Sequence, residues 1–224
     1  NQYASMSMRN TSPQRLLIGP WNHGGLRGGE SYTGDVDFGS SAAYGNEKYN
    51  QLRLSWFDHW LRGIPNGIEN CPPVKIFVMG GGTGLPNREG RLDHGGKWRN
   101  ENEWPLARTI YTRMYLDKDG FLNSSMPNEL EYSKSFNYDP ENPVPTISSN
   151  ALGMLKLAKG SKDDNEKNER IFHRFNTLFI AGASHQKEEP RHFGSKPPYP
   201  LIENRLDVLT FRSRPLESDM EITG

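Results

Sequence analysis

The sequence predicts a mainly β protein whose N-terminal part is a strand, a loop and a helix. Three observations carry this expectation. Glycine and proline are plentiful, at 23 and 16 residues, and the apolar fraction is only 33%, a balance that suits short strands and turns better than a helical bundle. Sustained helical periodicity occurs in one stretch, residues 42–62. Beyond it, β-branched and aromatic runs alternate with turn-forming clusters.

Each element follows from its local pattern. Residues 14–19, QRLLIG, form an apolar run stopped by Gly19 and Pro20, the mark of a buried strand. The glycine-rich loop PWNHGGLRGG comes next. In residues 42–62, Tyr49, Leu52, Trp56, Phe57, Trp60 and Leu61 recur at three- and four-residue spacing. Asp58 and Arg62 stand one turn apart and are expected to pair, and Gly63 and Pro65 end the helix. Residues 74–79, VKIFVM, read as a buried strand, and 109–116, TIYTRMYL, as another with DKDG as its turn. Residues 130–138, 171–180 and 206–211 read as further strands. DPENPVPT excludes helix, because proline drives the residue before it out of the helical region. Residues 159–169, KGSKDDNEKNE, read as a charged loop. The change of texture within 63–73 divides the chain into a first domain, 1–70, and a second, 71–224. The closing ESDMEITG alternates like the start of a strand, so the second domain is expected to be incomplete.

Charge narrows the partners. Lys plus Arg and Asp plus Glu each total 27, so the chain has neither the basic excess of a nucleic-acid binder nor a polybasic membrane anchor. No apolar run approaches the ~20 residues of a bilayer-spanning helix. NQYASMSMRN lacks the apolar core of a signal peptide, and the compartment stays open. Because the first residue is not Met, the chain reads as part of a longer protein. Cys71 stands alone, which excludes an internal disulfide and a thiolate zinc site and leaves it as a small buried residue.

His23 is the leading candidate for chemistry. It follows a buried strand, which fixes the backbone while the loop exposes the ring, and Gly24 and Gly25 allow a sharp turn. Trp21 and Asn22 flank it as candidate substrate-binding residues. His59 reads as a packed helix side chain. His185 and His192 lack a carboxylate spaced to complete a metal set. Asp35 and Asp37, in GDVDFG, lack the glycine and final glutamate of a calcium loop. GGGTG at 80–84 lacks the Lys–Ser/Thr ending of a phosphate loop and reads as a flexible β-connection. Trp98 and Trp104 bracket RNENE, where sugar stacking and domain packing are both open. No cofactor or metal is expected.

LLIGPWNHGG resembles the segment that carries the catalytic histidine in the CocE/NonD hydrolases, a family of cocaine esterases, X-prolyl dipeptidyl peptidases, α-amino-acid ester hydrolases and glutaryl acylases. LRLSWFDHWLRGIPNGI resembles the family's next helix, and PPVKIFVMG the strand that opens its C-terminal domain. KWRNENEWPLART, YLDKDGFL, YDPENPVPT and RLDVLTFRSRPLESDMEITG resemble successive segments of that domain. The resemblance implies a jelly-roll-like (galactose-binding-like) β-sandwich preceded by the C-terminal strand–loop–helix of an α/β-hydrolase domain. It also implies domain packing as the role of Trp98 and Trp104. His23 would be the base and acid of a Ser-His-Asp triad acting on a small-molecule ester, amide or peptide substrate.

In such a triad the order along the chain is serine, acid, histidine, and only residues 1–22 precede His23. No G-x-S-x-G occurs in the sequence; GASHQ at 182–186 lacks the closing glycine. The serine and the acid are therefore expected before residue 1, Asp35 and Asp37 being poor substitutes, and the chain alone is expected to be inactive. The choice among X-Pro peptides, amino-acid esters and aryl esters stays open. A competing expectation is a non-catalytic β-sandwich module that binds carbohydrate or protein. An open strand edge and an apolar helix face also lead to an expected homo-oligomer.

Overall fold

The computed structural model of the chain describes residues 2–9, 12–22, 25–128, 132–147, 182–190, 192 and 194–223. The described residues are β-rich, forming three small open sheets and few helices. The described residues fall into two compact units, one within Asn1–Trp104 and Ser148–His185, the other within Pro105–Ile147 and Gln186–Gly224.

In the first unit, α1 (Gln2–Arg9) leads to β1 (Leu16–Ile18), a single helical turn α2 (Gly25–Gly28), and the hairpin β2 (Tyr32–Thr33) and β3 (Val36–Asp37). A 3₁₀ turn (Ser40–Ala42), α3 (Gly45–Arg62) and a second 3₁₀ turn (Ile68–Asn70) follow, then β4 (Val74–Met79), β5 (Leu92–Asp93) and β6 (Gly96–Glu101). β4 is the central strand of the larger sheet. It runs parallel to β1 with Leu16 opposite Val74, and antiparallel to β6 with Phe77 opposite Trp98. Val74 is fully buried, and Ile76 and Phe77 nearly so, as the apolar run VKIFVM predicts. β2, β3 and β5 form the second sheet.

The helix spans Gly45–Arg62 rather than 42–62, because Ser40–Ala42 winds as a 3₁₀ turn and Gly45 takes a left-handed conformation. Asp58 and Arg62 pair at 2.6 Å. Gly63 ends the helix at φ 69°, with its N–H on the His59 carbonyl and that of Ile64 on the Asp58 carbonyl. Leu54, Phe57, Trp60 and Leu61 are nonetheless exposed, because no described element covers that face.

GGGTG differs from the expected flexible connection. Gly80, Gly82 and Gly84 donate in turn to the carbonyls of Gly95, His94 and Asp93, continuing the ladder beyond β4. A Cβ on Gly82 would lie 2.5 Å from the Asp93 oxygen, so this close backbone approach requires glycine. Cys71 is exposed rather than buried; it caps the Ile68–Asn70 turn at the surface.

In the second unit, β7 (Tyr115–Leu116) and β8 (Leu122–Asn123) form the hairpin. The DKDG turn is held by Asp117, whose Oδ1 accepts from the N–H groups of Asp119 and Phe121. Strand structure covers only the last two residues of 109–116, and none forms over 132–138 or 206–211. Their composition favours extended backbone, but no ladder partner lies alongside them among the described residues. The strand expected at 171–180 and the loop at 159–169 lie outside the described residues.

Few apolar side chains are buried here, Leu106 and Ile147 being the clear cases. Polar groups hold the centre instead. Arg205 donates to both carboxylate oxygens of Asp207 at 2.8 Å, to Glu188 Oε1 at 2.8 Å and to the Asn142 carbonyl at 2.7 Å. Glu188 is 1% exposed, and its Oε2 accepts from the Lys196 N–H at 3.3 Å. Charge-assisted bonds of this kind are strong, and burial makes each partner depend on the others.

Three outcomes follow. Gly96 has φ 153°, and a Cβ there would stand 2.1 Å from the Phe77 ring; Gly96→Ala is expected to lower stability by about 2 kcal/mol in urea unfolding. Arg205→Ala leaves Glu188 buried without its cation and is expected to lower the stability of this unit by about 3 kcal/mol in the same measurement. The Arg205 guanidinium also holds the Asp207 carboxyl below the usual carboxylate range. Because the folded value lies below the unfolded one, about 3.9, that contribution is complete near neutrality and is lost as the pH falls through the folded value. Asp207→Asn should flatten that acid limb in a pH series of melting temperatures.

Candidate functional site

The loop after β1 is built from side chains that fix its two sides. Thr33 Oγ1 donates to the Pro20 carbonyl at 2.7 Å, tying the loop to the β2–β3 hairpin. Trp21 Nε1 donates to the Ala42 carbonyl at 2.9 Å. The Trp21 ring meets Tyr44 at 5.4 Å and Trp98 at 5.5 Å. Trp98 in turn meets Phe77 at 5.2 Å and donates from Nε1 to the Ser41 carbonyl at 2.8 Å. Two indole N–H groups therefore end on adjacent carbonyls of one turn. Gly19 has the Trp21 ring where a side chain would be, 2.5 Å from a Cβ, so the chain enters the loop only with glycine there.

His23 and Gly24 lie outside the described residues. Of the two flanking candidates, Trp21 is part of this aromatic cluster, half-buried and hydrogen-bonded. Asn22 is also half-buried, and its carbonyl accepts from the Gly25 N–H at 3.1 Å, closing the turn into α2.

The base of β1 is anchored separately. The Arg15 guanidinium donates to the carbonyls of Ile68, Cys71 at 2.9 Å and Pro72 at 3.2 Å, and lies 5.9 Å from the Trp56 ring. It satisfies backbone acceptors where the chain turns into β4 and so joins the strand before the loop to the strand beside it.

Asp35 and Asp37 are committed to structure. Asp35 Oδ2 accepts from the His185 N–H at 3.0 Å, and Asp37 accepts from the Gly39 N–H at 2.9 Å and from Asn87 Nδ2 at 3.0 Å. Among the described residues no group of three His, Cys, Asp or Glu side chains is placed to hold a metal ion. His59 packs edge-on against Trp60 at 4.5 Å, with Nδ1 3.3 Å from Glu69. His192 is buried, its Nδ1 accepting from the Glu189 N–H at 3.1 Å. Contacts of Trp98 lie within the first unit, on Trp21, Tyr44 and Phe77.

Thr33, Tyr44 and Arg15 were not singled out by the sequence. Each acts across a long chain separation, where periodicity carries no signal. Trp21→Phe keeps the ring but leaves the nearly buried Ala42 carbonyl without its donor; the expected loss is about 1–2 kcal/mol of stability, read by urea unfolding against the unmodified chain.

A family model described as the X-Pro dipeptidyl-peptidase C-terminal non-catalytic domain matches residues 66–224. The cocaine esterase of Rhodococcus sp. (strain MB1 Bresler) is 30% identical over 155 residues, which is 66% of this chain and 24% of that protein. Two proteins provisionally named serine esterases, from Mycobacterium bovis and Mycobacterium tuberculosis, are each 29% identical over 119 residues, 53% of this chain and 15% of theirs. The chain thus spans a quarter or less of the length of these curated relatives. No solved structure matches it. With the family model covering more than half of the sequence, the chain belongs to the X-Pro dipeptidyl-peptidase C-terminal domain family, carried by the CocE/NonD hydrolases.

Proposed function

We propose that the chain is the C-terminal part of a serine hydrolase that cleaves ester or amide bonds, with His23 as its general base and acid. The observation that carries this reading is the match of residues 66–224 to the family model together with the 30% identity to a cocaine esterase. In this reading residues 1–70 are the last strand, histidine loop and final helix of an α/β-hydrolase domain. Residues 71–224 are a jelly-roll-like, galactose-binding-like β-sandwich. The description of the matched family as non-catalytic fits a division in which the chemistry lies outside residues 66–224.

The mechanism uses His23 twice. It takes the proton of a serine hydroxyl as the oxygen attacks the substrate carbonyl, then delivers it to the leaving alcohol or amine. In the second half it takes a proton from water, which opens the acyl-enzyme, and returns that proton to the serine. A carboxylate orients the ring, and no metal or cofactor takes part. The described neighbours serve this role as a frame. Thr33 fixes the Pro20 carbonyl and the Ala42 carbonyl holds the Trp21 indole, both on residues that precede His23 in the sequence.

In the full-length enzyme, His23→Ala is expected to lower kcat by about four orders of magnitude or more with little change in KM. The present chain, which holds no G-x-S-x-G, should stay unlabelled by a fluorophosphonate probe; labelling at one of its own serines would overturn this reading.

Self-association is part of the same proposal. Leu54, Phe57 and Leu61 line one side of α3 at helical spacing and are 59%, 46% and 76% exposed. Isolated in solution, the chain is expected to dimerise through this face. Light scattering should show the dimer, and Phe57→Glu should return it to monomer; a clean monomer for the unmodified chain at high concentration contradicts the expectation.

A further inference from the structure

A groove of about 540 Å³ lies in the first unit between α3 and the sheet. Tyr44, Lys48 and Gln51 line it from the start of α3, and Lys75 and Trp98 from β4 and β6. The Trp98 indole gives it a flat apolar lining. Two ammonium groups face it and no acidic side chain lines it. Lys48 bonds only a backbone carbonyl, that of Ala43, at 3.2 Å. The Lys75 ammonium rests 5.3 Å from the centre of the Trp98 ring. Neither lysine has a carboxylate partner among the described residues. The nearby Glu47 accepts from Gln51 Nε2 at 3.3 Å.

We propose that this groove is a binding site for a small aryl carboxylate, its ring on Trp98 and its carboxylate held by Lys48 and Lys75. The chemistry is complementary on both counts. An indole face takes a flat apolar ring by offset or edge contact. Two unpaired ammonium groups in one groove repel each other, and a single carboxylate answers both. Lys75 already occupies the ring by a cation–π contact, which an incoming ring displaces while its carboxylate gives the ammonium a stronger partner. Tyr44 adds a donor. Burial raises its pKa, so the hydroxyl stays protonated, and it has no hydrogen-bond partner among the described residues. The platform is also rigid: Trp98 is fixed by its bond to the Ser41 carbonyl and Tyr44 by ring contacts with Trp21 and Trp98. The site goes beyond the hydrolase reading and stands without it, since binding requires no ester cleavage.

The test titrates the chain with four probes followed by saturation-transfer NMR: phenylacetate, its neutral amide phenylacetamide, acetate, and N-acetylphenylalanine as a peptide chain end. Expected is phenylacetate binding with a Kd of the order of 1 mM, weakening as salt rises, and much weaker binding of phenylacetamide and of acetate. Binding of N-acetylphenylalanine alone would assign the carboxylate to a peptide terminus rather than a free acid. The double variant Lys48→Gln, Lys75→Gln should lose affinity at least about tenfold at an unchanged melting temperature. If the double variant melts early, Lys48→Gln alone, on an exposed helix position, gives the reading. Failure of both aryl carboxylates, phenylacetate and N-acetylphenylalanine, to bind, equal binding of the neutral amide, or undiminished binding to the variant would overturn the proposal.

Discussion

The Ser40–Ala42 turn receives two indole N–H groups on adjacent carbonyls, and the first unit depends on that convergence. Trp98 reaches Ser41 from the sheet, and Trp21 reaches Ala42 from the loop after β1. The Ala42 N–H closes on the Gly39 carbonyl, and without Trp21 the carbonyl of the buried Ala42 would lack its donor. Because the donors come from different elements, one turn sets the distance between sheet and loop. The aromatic contacts that follow, Trp21 with Tyr44 and Trp98 with Phe77, fill the space the two bonds define. Phe38, Ala42 and Phe77 form the small core beneath them.

The second unit relies on a different principle. With few apolar side chains buried, its centre is an arginine shared by two carboxylates and a carbonyl. Arg205 suits this work because its planar fork presents donors in several directions while keeping its charge. The arrangement links Glu188, which follows the bridge to Leu201, with Asn142 and Asp207. Such a centre is specific in geometry but depends on every member. An apolar core tolerates a lost methyl group better than this cluster tolerates a lost charge.

The sequence was legible where the cause was local. α3 shows its periodicity, its Asp58–Arg62 pair and its Gly63 stop within one stretch of chain. VKIFVM forms the strand its mostly apolar, β-branched run predicts, because both of its neighbours along the sheet are present. TIYTRMYL has equal strand character but forms a ladder only at Tyr115 and Leu116, where the DKDG turn brings the next residues back. Side-chain preference states that a segment suits a sheet; the partner that realises it comes from elsewhere in the chain. The candidate site divides the same way. The strand stop at Gly19 and Pro20 could be read from LLIGPWNHGG, but the helical turn Gly25–Gly28 within the expected glycine-rich loop could not. The support from Thr33, Arg15 and Tyr44 could not, since each reaches across a separation at which no spacing rule operates.

The frame around the loop also bears on what a catalytic histidine requires. A general base must keep its ring in one orientation through two proton transfers, and orientation begins with the backbone. Pro20 limits the chain before Trp21, Thr33 binds the Pro20 carbonyl, and Trp21 is fixed by one hydrogen bond and two ring contacts. The Gly25 N–H donates to the Asn22 carbonyl, and Gly25 opens α2. Three of these restraints come from side chains that need no contact with substrate. A loop meant only to connect β1 to the next hairpin would not require them, because solvent can satisfy an exposed Pro20 carbonyl and a smaller side chain would serve at position 21. The restraint is thus concentrated on Pro20 and Trp21, the described residues that come shortly before position 23.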